Sequence, residues 1–121
     1  MSRYLLSGVL LAVWAISPVP AVVPQDTLTF AVTLTTGPAW LADRAPNDQP
    51  HMRLHSQNLG RLRAEGRAVL GGRYGEFGVV LIRAPDSAAV AQMFAPDSAV
   101  QTGVFSIRID RWRTFYDGCV E

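Results

Sequence analysis

Residues 26–36 read DTLTFAVTLTT, and no other stretch limits the possible folds as strongly. Leu28, Phe30, Val32 and Leu34 take every second position, with Thr29, Ala31, Thr33 and Thr35 between them. Side chains of a strand project alternately to its two faces, so this period of two places the large apolar groups on one side. Threonine, valine and phenylalanine also suit an extended backbone. A strand with one apolar face cannot stand alone. It requires strand neighbours and a layer to cover it.

The rest of the chain supplies both. From His51 to Glu65, Leu54, Leu59 and Leu62 recur at helical spacing; Pro50 suits a first turn and Gly66 a C-terminal stop. RAVLGGRY (67–74) and EFGVVLIRA (76–84) predict two further strands, with glycine-rich punctuation between them. Asp86 predicts the cap of a second helix over 87–95, and PDSAVQTG (96–103) is a connector with room for one helical turn. VFSIRIDRW (104–112) alternates Phe105, Ile107 and Ile109 with Ser106, Arg108 and Asp110, which predicts the last strand. The order is β-α-β-β-α-β, an α+β chain of the ferredoxin-like, split βαβ type. Helices on one side leave an apolar sheet face without cover, so a homodimer with its sheets face to face is expected.

The first residues read differently. Arg3 precedes the apolar run YLLSGVLLAVWAI, and Val19 and Ala21 stand where a signal peptidase needs small residues. The expectation is a signal peptide over 1–21 and one domain over 22–121, in the periplasm or secreted, with no membrane association after processing. An uncleaved anchor is the competing reading, although the apolar run is short for a membrane span. Without Arg3, ten arginines face ten acidic residues, and no basic stripe is visible, so a nucleic-acid partner is disfavoured. The chain has no lysine, which excludes a Schiff-base lysine mechanism. Its one cysteine, Cys119, cannot form an internal disulfide and reads most simply as a buried thiol near the end of the chain.

Most candidate site residues lie between the first strand and the second, with Arg73 and Asp97 further along. The loop GPAWLADRAPNDQP (37–50) carries Trp40, which is expected to cover something or to stack on a ligand ring. His51 and His55 lie four apart on one helical face, a spacing compatible with zinc. However, HMRLH lacks the glutamate of a metalloprotease motif and no third ligand is evident, so no metal site is expected. His51 reads as a solvated first-turn residue. His55 can serve proton transfer near neutral pH, or it can be a hydrogen-bonded histidine between helix and sheet. Asn58, three residues on, can share the pocket edge. Arg73 follows two glycines and can hold a carboxylate or phenolate, or simply end a strand. Asp97 can cap a short turn.

Two longer stretches carry a resemblance. HSQNLGRLRAEGRAVLGGR, followed by FAPDSAVQTGVFSIRIDRW, resembles the YCII-related (YciI-like) domain family. The spacing from His55 to Gly66, the EGR at the helix end, the glycine pair closing the second strand and the aspartate before AVQTGVF all fit. The resemblance runs from about Phe30 to Trp112 and is spread over many positions. It implies a dimeric α+β barrel and an active-site pair of His55 and Asp97. One branch of the family eliminates chloride from chlorinated hydroxyquinones. The chain departs from the family pattern at Met52, where arginine is frequent (Arg53 is one place off), at Ser98, where proline follows the aspartate, and at Arg73, where proline follows the glycine. Two functions follow as expectations. One is a cofactor-independent lyase or isomerase in which His55, oriented by Asp97, acts as general acid–base while Arg73, Trp40 and Asn58 bind substrate. The other is a non-catalytic small-molecule-binding or stress-associated dimeric module.

Overall fold

The computed structural model describes residues 15–17 and 27–119; the expected leader lies almost wholly outside the described residues. The elements are β1 (Leu28–Thr36), a 3-10 turn (Pro46–Asp48), α1 (Met52–Ala64), β2 (Ala68–Tyr74), β3 (Phe77–Ala84), α2 (Ser87–Phe94), α3 (Ser98–Gln101) and β4 (Phe105–Arg111). They form an α+β fold with one four-stranded sheet in the order β2-β3-β1-β4. Every neighbouring pair is antiparallel. Among the described residues no helix is long and apolar enough to cross a membrane.

The alternation in β1 sets the register of the sheet. Val32 lies opposite Val80 of β3 and Ile109 of β4, Leu34 opposite Ile107, and Phe30 opposite Ile82. Residues paired across antiparallel strands share a face, so these groups line one side of the sheet. Leu62 of α1 and Val90 and Phe94 of α2 close over them in a single core. Each such side chain contributes roughly 1.5 to 3 kcal/mol on burial. The opposite face is only half apolar, which corrects the expectation of a uniformly apolar surface. β1 and β4 place Thr29, Thr33, Thr35, Ser106, Arg108 and Asp110 there, whereas the β2–β3 side carries Leu70 opposite Leu81 and the exposed pair Tyr74 and Phe77.

Helix ends follow local chemistry. α1 starts at Met52 rather than His51, because His51 has φ +64°, a left-handed conformation that the helix cannot include. Pro50 therefore lies ahead of the helix. At the other end Gly66 takes φ +72°, Gly66 N–H donates to the Arg63 carbonyl and Arg67 N–H to that of Leu62. This is the glycine-terminated Schellman arrangement. Asp86 caps α2 through Oδ1, 2.8 Å from the Ala89 nitrogen. Beyond β4 the chain packs on little: Phe115 and Tyr116 are more than nine-tenths exposed. Cys119 is accordingly an exposed free thiol and not the buried one expected.

One contact fixes how β1 leaves the sheet. Gly37 N–H donates to the Val104 carbonyl and Ala39 N–H to that of Gly103, which itself has φ +79°. A Cβ on Gly37 would sit 2.1 Å from the Gly103 oxygen, so only glycine fits. This backbone clamp ties the 37–50 loop to the junction of α3 and β4. Gly37→Ala is expected to lower stability by about 2 kcal/mol or more in urea unfolding. An unchanged midpoint would show that the clamp yields without cost.

Candidate functional site

Between the first half of α1 and the covered face of the sheet lies a cleft of about 690 Å³. Met52, His55 and Leu59 line it from the helix, Leu34 and Val80 from the core strands, and Phe105 from β4. The 37–50 loop closes one side with Trp40 and Pro46. Gln49, buried to 4% exposure, holds that loop in shape. Its Oε1 accepts from the Leu41 nitrogen at 2.8 Å, while Nε2 donates to the carbonyls of Leu41 at 2.6 Å and Arg44 at 3.0 Å. Trp40 does cover something: its ring centroid lies 5.7 Å from that of Phe105. Phe105 in turn lies 4.9 Å from the His55 ring.

His55 is at the first turn of α1 and is 6% exposed. Its Nδ1 lies 2.7 Å from Asp97 Oδ2. Asp97, fully buried, is the N-cap of α3, and its Oδ1 accepts from the Ala99 nitrogen at 3.1 Å. Asp97 thus caps α3 with one oxygen and contacts His55 with the other. Burial works against the Asp97 charge. The His55 hydrogen bond and charge, with the backbone N–H groups of Val100 and Ala99, outweigh it and hold the carboxyl below its ordinary value of 3.8.

The ionised carboxylate has no proton to give, so His55 Nδ1 must be the donor. A neutral imidazole carrying its proton on Nδ1 has its lone pair on Nε2. Among the described residues no group hydrogen-bonds that Nε2, and the ring lines the cleft. An imidazole held this way can act as an oriented base, with the carboxylate at its other nitrogen as counter-charge. Removing the imidazole would leave the buried carboxylate without this donor, which is destabilising.

The other expected residues divide. Arg73 lines the cleft from β2 and makes no ion pair among the described residues; Glu76 stands at the same rim. Asn58 is not at the cleft edge as expected. It is rotated toward α2, where Nδ2 donates to the Met93 carbonyl at 3.2 Å and Oδ1 accepts from Arg61 at 2.8 Å. Its role is to join helices. His51 is exposed and bounds a separate shallow hollow with Asp48 and Arg53. Among the described residues no group of three or more His, Cys, Asp or Glu side chains is placed to hold a metal ion.

Phe105 and Gln49 were not legible as site residues. Phe105 belongs to the same alternation as Ile107 and Ile109, so its pattern reads as core; Gln49 sits in a polar loop with nothing to mark it as buried. No family model matches the chain, nor does any curated protein or solved structure.

The lowered Asp97 ionisation has a pH consequence with a definite sign. A carboxyl whose folded value lies below its unfolded one stabilises the fold fully above the unfolded value and loses that contribution as pH falls through the folded one. Stability should therefore decline as pH drops below 3.8, the ordinary value for this group. In Asp97→Asn, stability at neutral pH should fall and this part of the acid dependence should vanish, as followed by urea unfolding at a series of pH values. Parallel pH profiles for parent and variant would contradict the assignment.

Proposed function

We propose that this protein is a cofactor-independent small-molecule enzyme of the lyase or isomerase type, with His55 as general acid–base and Asp97 as the residue that orients it. The observation that carries this reading is the buried 2.7 Å contact from Asp97 to Nδ1, which leaves Nε2 without a hydrogen-bond partner among the described residues on a ring that lines the cleft. In the proposed step Nε2 takes a proton from a carbon beside a carbonyl. The C–H electron pair moves into the enolate, and the imidazolium formed is balanced by the Asp97 carboxylate. Returning the proton at another carbon completes an isomerisation; loss of a leaving group from the neighbouring carbon completes an elimination. Arg73 and Trp40 are the proposed substrate contacts.

The same reading makes the chain a divergent, exported member of the YCII-related family with a ferredoxin-like protomer. The strand order β2-β3-β1-β4 and the His55–Asp97 contact support it. A homodimer is proposed through the open sheet face, with the apolar β2–β3 side at its centre, and a periplasmic or secreted location follows from the leader-like residues 1–21. A second reading, a binding module without chemistry, draws on Met52 and Ser98 standing where the family pattern has arginine and proline.

Solvent-deuterium exchange separates the two. Phenylpyruvate and cyclohexane-1,2-dione in heavy water should exchange their acidic C–H faster with the parent protein than with buffer alone. His55→Asn, which keeps a donor toward Asp97, should fold and should lose roughly a hundredfold of that rate. Equal exchange by parent, variant and buffer would favour the binding module.

A further inference from the structure

Three glycines line the cleft, and two of them, Gly71 and Gly78, sit on its covered-face floor with neither a crowded Cβ position nor a positive φ to require glycine; Gly72 pairs with Val79 on the other face. Gly37, by contrast, has a forbidden Cβ, and Gly66 and Gly103 have a positive φ. A Cβ on Gly78 would meet Leu34 at 3.5 Å and one on Gly71 would meet the Val79 oxygen at 3.8 Å, both ordinary contacts. β3 is an interior strand of the sheet, where glycine is a poor choice on backbone grounds alone. By register Gly78 pairs with Leu34 and with Arg73, and Gly71 with Val80, so both lie on the covered face. Side chains there would project into the cleft.

We propose that Gly71 and Gly78 keep a flat bay open in the cleft floor for an aromatic ring bearing a carboxylate, with Arg73 receiving the carboxylate; this rests on reading the cleft as a small-molecule site. A planar ring can lie against bare backbone where a side chain would exclude it. Phe105 and Trp40, tilted by 46° to one another, offer aromatic faces in the same cleft. Arg73 lies across from Gly78 at the end of β2, and its planar fork of donors matches a carboxylate better than a point charge does. Glu76 at the rim turns away a second anionic group, which restricts the ligand class to monoanions.

The test is binding to the full chain, read by NMR titration with benzoate, benzamide and benzylamine as probes. Benzoate should shift the amides of Gly71, Gly78 and Arg73, and benzamide should bind about tenfold more weakly. Arg73→Gln should weaken benzoate to the level of benzamide. Gly78→Val should melt at or above the parent temperature and lose benzoate binding, because a β-branched residue suits the strand while filling the bay. Gly78→Ala gives the same direction with a smaller steric change should valine prevent folding. Undiminished benzoate binding by a folded Gly78 variant, a preference for benzylamine, or no cleft shifts at millimolar benzoate would each overturn the proposal. Benzoate binding without deuterium exchange would leave this proposal standing and remove only the catalytic reading. Exchange without benzoate binding would do the reverse.

Discussion

The buried contact between His55 and Asp97 is the interaction on which the cleft side of the fold depends. It joins the first turn of α1 to the start of α3, elements that meet through little else polar. Asp97 satisfies the α3 terminus with one oxygen and the imidazole with the other. A charge held this way is costly to strip of its partner. His55 therefore has a structural role beside the chemical one proposed for it. A melting experiment on His55→Ala would register the first role whether or not the second exists, since deletion of the ring leaves the Asp97 carboxylate buried alone.

The cleft follows from the same geometry. α3 is anchored to α1 by the pair, and the Gly37–Gly103 clamp attaches the 37–50 loop at the end of α3. Gln49 then shapes the loop from within, so Trp40 comes to rest on Phe105 beside the imidazole. The loop side of the cleft is thus referred, through short backbone or buried polar contacts, to the position of the histidine.

Much of the fold was legible in the sequence because it rests on local patterns. Alternation in β1 and β4, the Leu59 and Leu62 positions of α1, the Asp86 cap and the Gly66 stop each act over a few residues and appear where the pattern requires; Leu54, counted in the same stripe, faces outward and is exposed. The start of α1 was misplaced by one residue because a left-handed His51 leaves no mark in sequence; glycine or asparagine would have been the signal. The open sheet face was read from the strand count alone. Its polar half is written in the threonines of β1 and the charges of β4, which the argument from missing cover passed over. The site was legible in part. His55 and Asp97 were paired through resemblance, and nothing in their separation of 42 positions would have paired them. Asn58 failed because three residues along a helix turn the side chain far enough to meet α2 instead of the cleft. The role of Phe105 depends on the register of β4 against β1, a long-range fact.

The central claim is that Asp97 fixes His55 with its proton on Nδ1 and a free basic Nε2 toward the cleft. The direct measurement is the tautomeric state of His55 from imidazole nitrogen-15 chemical shifts in the folded full chain, at a pH where the ring is neutral. The account predicts a protonated Nδ1 coupled to Asp97 and an unprotonated, solvent-responsive Nε2. A ring carrying its proton on Nε2, with Nδ1 accepting, would contradict it.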